Sequence, residues 1–132
     1  MIGIDTNILV RYFIRDDEQQ AKVATRILIN QCSREQPGWI NRIVLCELVW
    51  VLESVYRCSR EEISTTIRSL LQTAEIKTED ADIAWVAINA YEHNSADFAD
   101  ALLFASNHRH GCDRTLTLDR KAARLPTGAM AE

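Results

Sequence analysis

The stretch MIGIDTNILV, residues 1–10, decides the fold. Met1 to Ile4 reads as a β-strand that runs into Asp5, Thr6 and Asn7 before apolar residues resume. Two explanations for a carboxylate at that step are open. Asp is a favoured helix N-cap, and Ile8, Leu9, Tyr12 and Phe13 follow at helical spacing. Alternatively, Asp5 is one member of an acidic cluster assembled from distant parts of the chain.

Outward from this stretch, short extended runs alternate with helical ones. The spacing predicts a strand over 2–4 and helices over 7–14 and 17–33, the latter with Ala21, Ala24, Ile27 and Leu28 on one side. Pro37-Gly38 breaks that helix, and 38–41 makes a second strand. Helices follow over 42–56 and 60–73, the second opened by Ser59 as a cap. A weak third strand over 75–77 precedes helices over 80–92 and 97–110. A strand over 114–118 and a helical turn over 119–124 complete the pattern. Alternating β and α elements with apolar strands argue for an α/β fold with a parallel sheet covered on both faces. Chemistry in such sheets collects beyond the carboxyl ends of the strands. Asp5 and Asp119 both lie at such ends.

At 132 residues the chain supports one core, so a single domain over 1–132 is expected. With 47% hydrophobic and 26% charged residues, the composition is that of a soluble globular protein. No export signal is evident, and the longest apolar run, 43–52, is far shorter than the ~20 residues of a membrane span. Cys32, Cys46, Cys58 and Cys112 are scattered without a C-x-x-C pair, which reads as reduced thiols of a cytoplasmic protein and argues against structural zinc. The net charge of −4 argues against nucleic-acid binding by phosphate neutralisation alone, so acids that handle a polyanion would need a divalent metal.

Three further segments carry acids. In NRIVLCELVWVLESVY (residues 41–56) the stripe Ile43, Glu47, Val51, Val55 is apolar apart from the acid, so Glu47 is expected to point inward, as a metal-site or catalytic acid or paired with an Arg or Trp N–H. In NSADFADALLFASNHR (94–109), Asp97 and Asp100 are three residues apart on one helix face. Asp97 as N-cap with Asp100 at N3 resembles a capping box, yet Asp100 has small and apolar neighbours and the pair repels itself. In RTLTLDRKAARL (114–125), Asp119 follows a strand and starts a basic turn, where it could cap that turn, with Thr117 placed either to point with it or to hydrogen-bond to it.

The segments GIDTN, LCELVWVL, DFADALLFA and TLTLD, in this order, resemble a PIN domain from Met1 to about Pro126, and more narrowly the VapC toxins of bacterial toxin–antitoxin pairs. The resemblance implies a three-layer α/β/α sandwich with a central, mainly parallel twisted sheet of four or five strands. It implies a Mg²⁺- or Mn²⁺-dependent ribonuclease that leaves 5′-phosphate and 3′-hydroxyl ends. On it, Asp5, Glu47, Asp100 and Asp119 are the catalytic acids. Asp5, Asp100, Asp119 and the additional Asp97 hold metal directly or through water, and Glu47 holds or deprotonates the attacking water. Thr6, Asn7 and Thr117 adjoin the acids, and Arg11 and Lys121 are the favoured substrate contacts among the nearby cations. The partners implied are RNA, a VapB-type antitoxin and a second copy of the chain. A heterotetramer or larger assembly would form with antitoxin, and operator DNA would be reached only through it. The tail TGAMAE has little strand character, so the last strand of many members is expected to be short or missing here.

Two rivals stand beside this reading. One is a PIN-like protein-interaction module without catalysis, against which the presence of all four acids counts. The other is a phosphotransfer domain with Asp5 as acceptor, against which the absence of a second nearby Asp in D-T-N counts. His108 and His110 do not share a helix face and read as ordinary helix-end histidines, as does His93. Trp39, Trp50 and Trp85 read as core or dimer contacts.

Overall fold

The computed structural model describes residues 1–132, which divide into two compact units, Met1–Glu79 and Asp80–Glu132. In the first unit the order is β1 (Ile2–Gly3), α1 (Thr6–Phe13), α2 (Glu18–Arg26), β2 (Gly38–Ile40), α3 (Arg42–Ser54), α4 (Arg60–Gln72) and β3 (Ile76–Thr78). The long helix expected over 17–33 runs as α2 only to Arg26 and then widens into a π-helical turn, Ile27–Gln31. The helix starts are set by side chains that satisfy otherwise orphaned N–H groups. Asp17 accepts from Gln20 N at 3.0 Å and Asn41 from Val44 N at 3.0 Å. Ser59 and Glu62 form a reciprocal capping box at the start of α4.

The three strands pair in parallel with β2 in the middle, Ile2 opposite Gly38 and Gly38 opposite Ile76. Their carboxyl ends therefore share one edge, and Asp5 follows β1 at that edge. Leu9, Ile40, Leu45, Leu48, Ile63 and Ile67 are fully buried and form the core beside this sheet.

The second unit consists of α5 (Ala81–His93), α6 (Phe98–Arg109), β4 (Thr115–Thr117), α7 (Arg120–Ala123) and β5 (Gly128–Met130). Tyr91, late in α5, meets Phe98, the first residue of α6, edge to face with centroids 6.0 Å apart. Asp82, early in α5, pairs with Arg109 at the end of α6. Contacts at both ends make α5 and α6 an antiparallel hairpin. Ala84, Ala87, Ile88, Phe98 and Ala101 are buried in it.

Of the two alternatives expected for the last strand, short or missing, the structure has the short one, β5. It spans three residues and pairs in parallel with β4, Thr115 opposite Gly128 and Thr117 opposite Met130. Gly-Ala-Met has poor intrinsic strand propensity, but pairing decides. Glycine is required at its start, because a Cβ on Gly128 would lie 2.7 Å from the Ala122 carbonyl oxygen and 2.9 Å from that of Ala123. All strands pair in parallel and alternate with helices, so the expected α/β class holds. No helix is long and apolar enough to cross a membrane.

Candidate active site

The first unit places four of the candidate residues, Asp5, Thr6, Asn7 and Glu47, around the carboxyl end of β1. Asp5 is the N-cap of α1, and its Oδ1 accepts from Thr6 N at 2.7 Å. Thr6 is buried, and its hydroxyl donates to Glu47 Oε1 at 3.1 Å. One residue thus links the strand end to α3. Asp5 and Asn7 are exposed, so the carboxylate that caps the helix also faces solvent.

Glu47 does not point inward. It is exposed, and so are Ile43 at 66% and Trp50 at 64%, one helical turn to either side. The face of α3 that enters the core is Val44, Leu45, Leu48, Val49 and Leu52. The stripe expected to be buried is therefore the outer one. The Glu47 carboxylate stays open to solvent while the Thr6 hydroxyl donates to it. Trp50 is likewise not a core residue.

In the second unit, Asp97 occupies the N-cap position of α6 but makes no side-chain capping bond, so the capping-box reading of Asp97 and Asp100 fails. Asp100 is half-buried one turn on. Burial raises its carboxyl above the ordinary carboxylate range, and the neighbouring charges of Asp97 and then Asp119 push it further the same way. Asp119, exposed after β4, accepts from Lys121 N at 2.8 Å and Ala122 N at 3.2 Å and so starts α7. The Asp119 N–H donates to Thr117 Oγ1 at 3.0 Å, the contact expected of that threonine. Lys121 is exposed on the same short helix.

Arg11 is committed elsewhere than expected. Its Nη1 donates to Asp16 Oδ1 at 2.7 Å, and its Nε donates to Gln20 Oε1 at 2.6 Å. The Tyr56 hydroxyl donates to Asp16 Oδ2 at 3.0 Å. Desolvation works to raise the Asp16 carboxyl, but the Tyr56 hydroxyl and the Arg11 charge outweigh it and hold it below its usual range. Nothing in the spacing of Asp16, Gln20 and Tyr56 announces this network, since its members are brought together only by the packing of α1, α2 and the end of α3. His110 Nδ1 lies 2.9 Å from the Ser106 carbonyl oxygen, the helix-end role expected of it.

The donor set fits a hard divalent cation: all the candidate ligands are carboxylates, and two of them destabilise the charge of a third, a conflict that a cation relieves. Within neither unit do three carboxylate, histidine or cysteine side chains stand close enough to enclose an ion as placed. An ion at Asp97, Asp100 and Asp119 would draw these side chains inward or bind partly through water.

Among curated proteins, none matches the chain significantly. The family model described as the PIN domain matches residues 2–127, nearly the whole length, a span that includes Asp5, Glu47, Asp97, Asp100 and Asp119. PIN domains are in general nucleases. With parallel strands alternating with helices and a match over nearly its whole length, the chain belongs to the PIN domain family, whose fold is a three-layer α/β/α sandwich.

Proposed function

We propose that this protein is a Mg²⁺- or Mn²⁺-dependent endoribonuclease and the toxin of a VapBC-type toxin–antitoxin pair, acting in the cytoplasm as a homodimer. The observation that carries this reading is the PIN-domain match over residues 2–127, whose span includes Asp5, Glu47, Asp97, Asp100 and Asp119, and half-buried Asp100, whose ionisation Asp97 and Asp119 oppose, is where a cation would act. Asp100, Asp119 and Asp97 would hold the ion in the second unit, and Asp5 offers a further carboxylate in the first. The cation, when bound, stabilises charge on the phosphoryl oxygens and lowers the pKa of water.

Glu47 is the general base. Thr6 occupies Oε1, which leaves Oε2 to take a proton from the attacking water. The water oxygen bonds to phosphorus as the bond to the 3′ oxygen breaks, leaving a 5′-phosphate and a 3′-hydroxyl. Lys121, exposed beside Asp119, is a phosphate contact. Asn7 contacts the substrate beside Asp5. Control falls to a VapB-type antitoxin that covers the acids, and operator DNA is reached through that partner.

Purified protein should cleave RNA with Mg²⁺ or Mn²⁺ and stop in EDTA. The variant Asp5→Asn should lose cleavage while its circular dichroism spectrum is unchanged. Cleavage by Asp5→Asn at the wild-type rate overturns the assignment. Cation binding without any cleavage favours the alternative, a PIN-like protein-interaction module.

A further inference from the structure

A groove of about 400 Å³ in the first unit is lined by Asn7, Ile8, Arg11, Gln20 and Val23. It begins two residues past Asp5 and runs between α1 and α2. Its volume lies in the range of small-ligand sites. Its lining is mixed, with Ile8 and Val23 apolar, Asn7 and Gln20 amides, and one guanidinium. The charge of Arg11 is matched by Asp16 at 2.7 Å, so the groove does not present an uncompensated cation to a phosphate. A neutral, flat, polar-edged group suits it better.

The orientation of Gln20 follows from chemistry. Arg11 can only donate, so the end of the Gln20 amide that meets Arg11 Nε at 2.6 Å is the carbonyl oxygen. The other end of this exposed, groove-lining side chain is therefore the NH₂ group, a donor. Arg11 is itself held by Asp16, and Asp16 by the Tyr56 hydroxyl. Three residues thus fix one donor at the groove.

We propose that Gln20 is a specificity-determining residue that reads one base of the RNA substrate, and that Asp16, Arg11 and Tyr56 are its positioning residues. The inference rests on the ribonuclease reading. A fixed donor selects the keto oxygen of uracil O4 or guanine O6 over the amino group that cytosine N4 or adenine N6 presents at the same position. Ile8 and Val23 supply the apolar contact for the base face.

The test uses two readouts on the intact protein. Cut sites are mapped on a randomised single-stranded RNA pool with Mn²⁺, and binding of labelled U₈ and C₈ is measured by anisotropy with Ca²⁺ in place of Mg²⁺. Wild type should cut beside keto bases and bind U₈ about fivefold or more tightly than C₈, the scale of one hydrogen bond. Gln20→Ala should level that ratio. Gln20→Glu, which keeps one oxygen on Arg11 and offers the other as an acceptor, should invert it toward C₈. Tyr56→Phe keeps the ring but releases Asp16, so it should narrow the ratio with no loss beyond that seen in thermal stability.

If the Gln20 variants retain the wild-type ratio and cut-site profile, the inference is overturned while the ribonuclease reading stands, and the groove is left to a protein ligand. If wild type cuts nothing but keeps a Gln20-dependent preference for U₈, the cleavage reading falls and base recognition stands. If it neither cuts nor discriminates, both fall.

Discussion

The buried Thr6 hydroxyl donates to Glu47 Oε1 at 3.1 Å, joining the first residue of α1 to the outer face of α3 across 41 residues of sequence. This bond orients an acid that packing leaves free to swing. Replacing Thr6 by Val removes the donor and keeps the shape, so kcat on RNA should fall about fivefold, the worth of one hydrogen bond. Thr6→Ser should recover most of the loss. Equal rates for Thr6→Val and wild type would show that the bond does not position Glu47.

Glu47 itself separates chemistry from stability. As an exposed side chain it contributes little to folding, and Glu47→Gln should shift stability by no more than about 0.5 kcal/mol. On its proposed role as general base, its loss should lower kcat by roughly 10²–10⁴-fold. Single-turnover cleavage alongside thermal unfolding checks both halves.

Asp100 predicts a pH dependence of definite sign. Its folded carboxyl is raised by burial and by Asp97 and Asp119, so the folded state holds this proton where the unfolded chain has released it. The stabilising effect is full below the ordinary Asp value, about 3.9, and is lost as pH rises through the folded value. In EDTA, Asp100→Asn should therefore melt above wild type at pH 7, and the gap should close toward pH 4. Added Mg²⁺ should raise the melting temperature of wild type more than that of Asp100→Asn. Identical melting curves with and without Mg²⁺ would remove Asp100 from the cation site.

The capping box of α4 offers a control away from the acids. Ser59→Ala removes the acceptor for Glu62 N, at 3.1 Å, and should cost about 1 kcal/mol. RNA cleavage at temperatures well below unfolding should be unchanged. A stability cost near zero would mean that solvent replaces the cap.

Much of this arrangement was legible in the sequence, because helix caps and breakers are local signals. Ser59 starts its helix and Gly38 its strand where the structure has them, whereas the end of the helix expected over 17–33 is not marked by Pro37-Gly38, since α2 stops at Arg26. Glu47 was misread for a physical reason. α3 is apolar on nearly every side, so periodicity cannot say which face is inward, and the core took Val44, Leu48 and Leu52 rather than Ile43 and Val51. Whether the last strand is short or missing is not readable from TGAMAE, because β5 depends on parallel pairing with β4 and on the absence of a Cβ at Gly128. Gln20 gave no signal at all, since an exposed glutamine acquires direction only from Arg11, nine residues away. The acids were legible as residues, whereas the conflict at Asp100 needed the fold.

Asp5 and Asp119 each serve the scaffold apart from the chemistry proposed for them, since each accepts a backbone N–H at a helix start. Asparagine caps helices about as well as aspartate, whereas alanine does not. Exchange of one oxygen for an amide nitrogen at either position therefore strips away negative charge and spares the architecture, while truncation to a methyl removes both together. A lineage could shed catalysis by that single-atom route and keep a folded body for some other use.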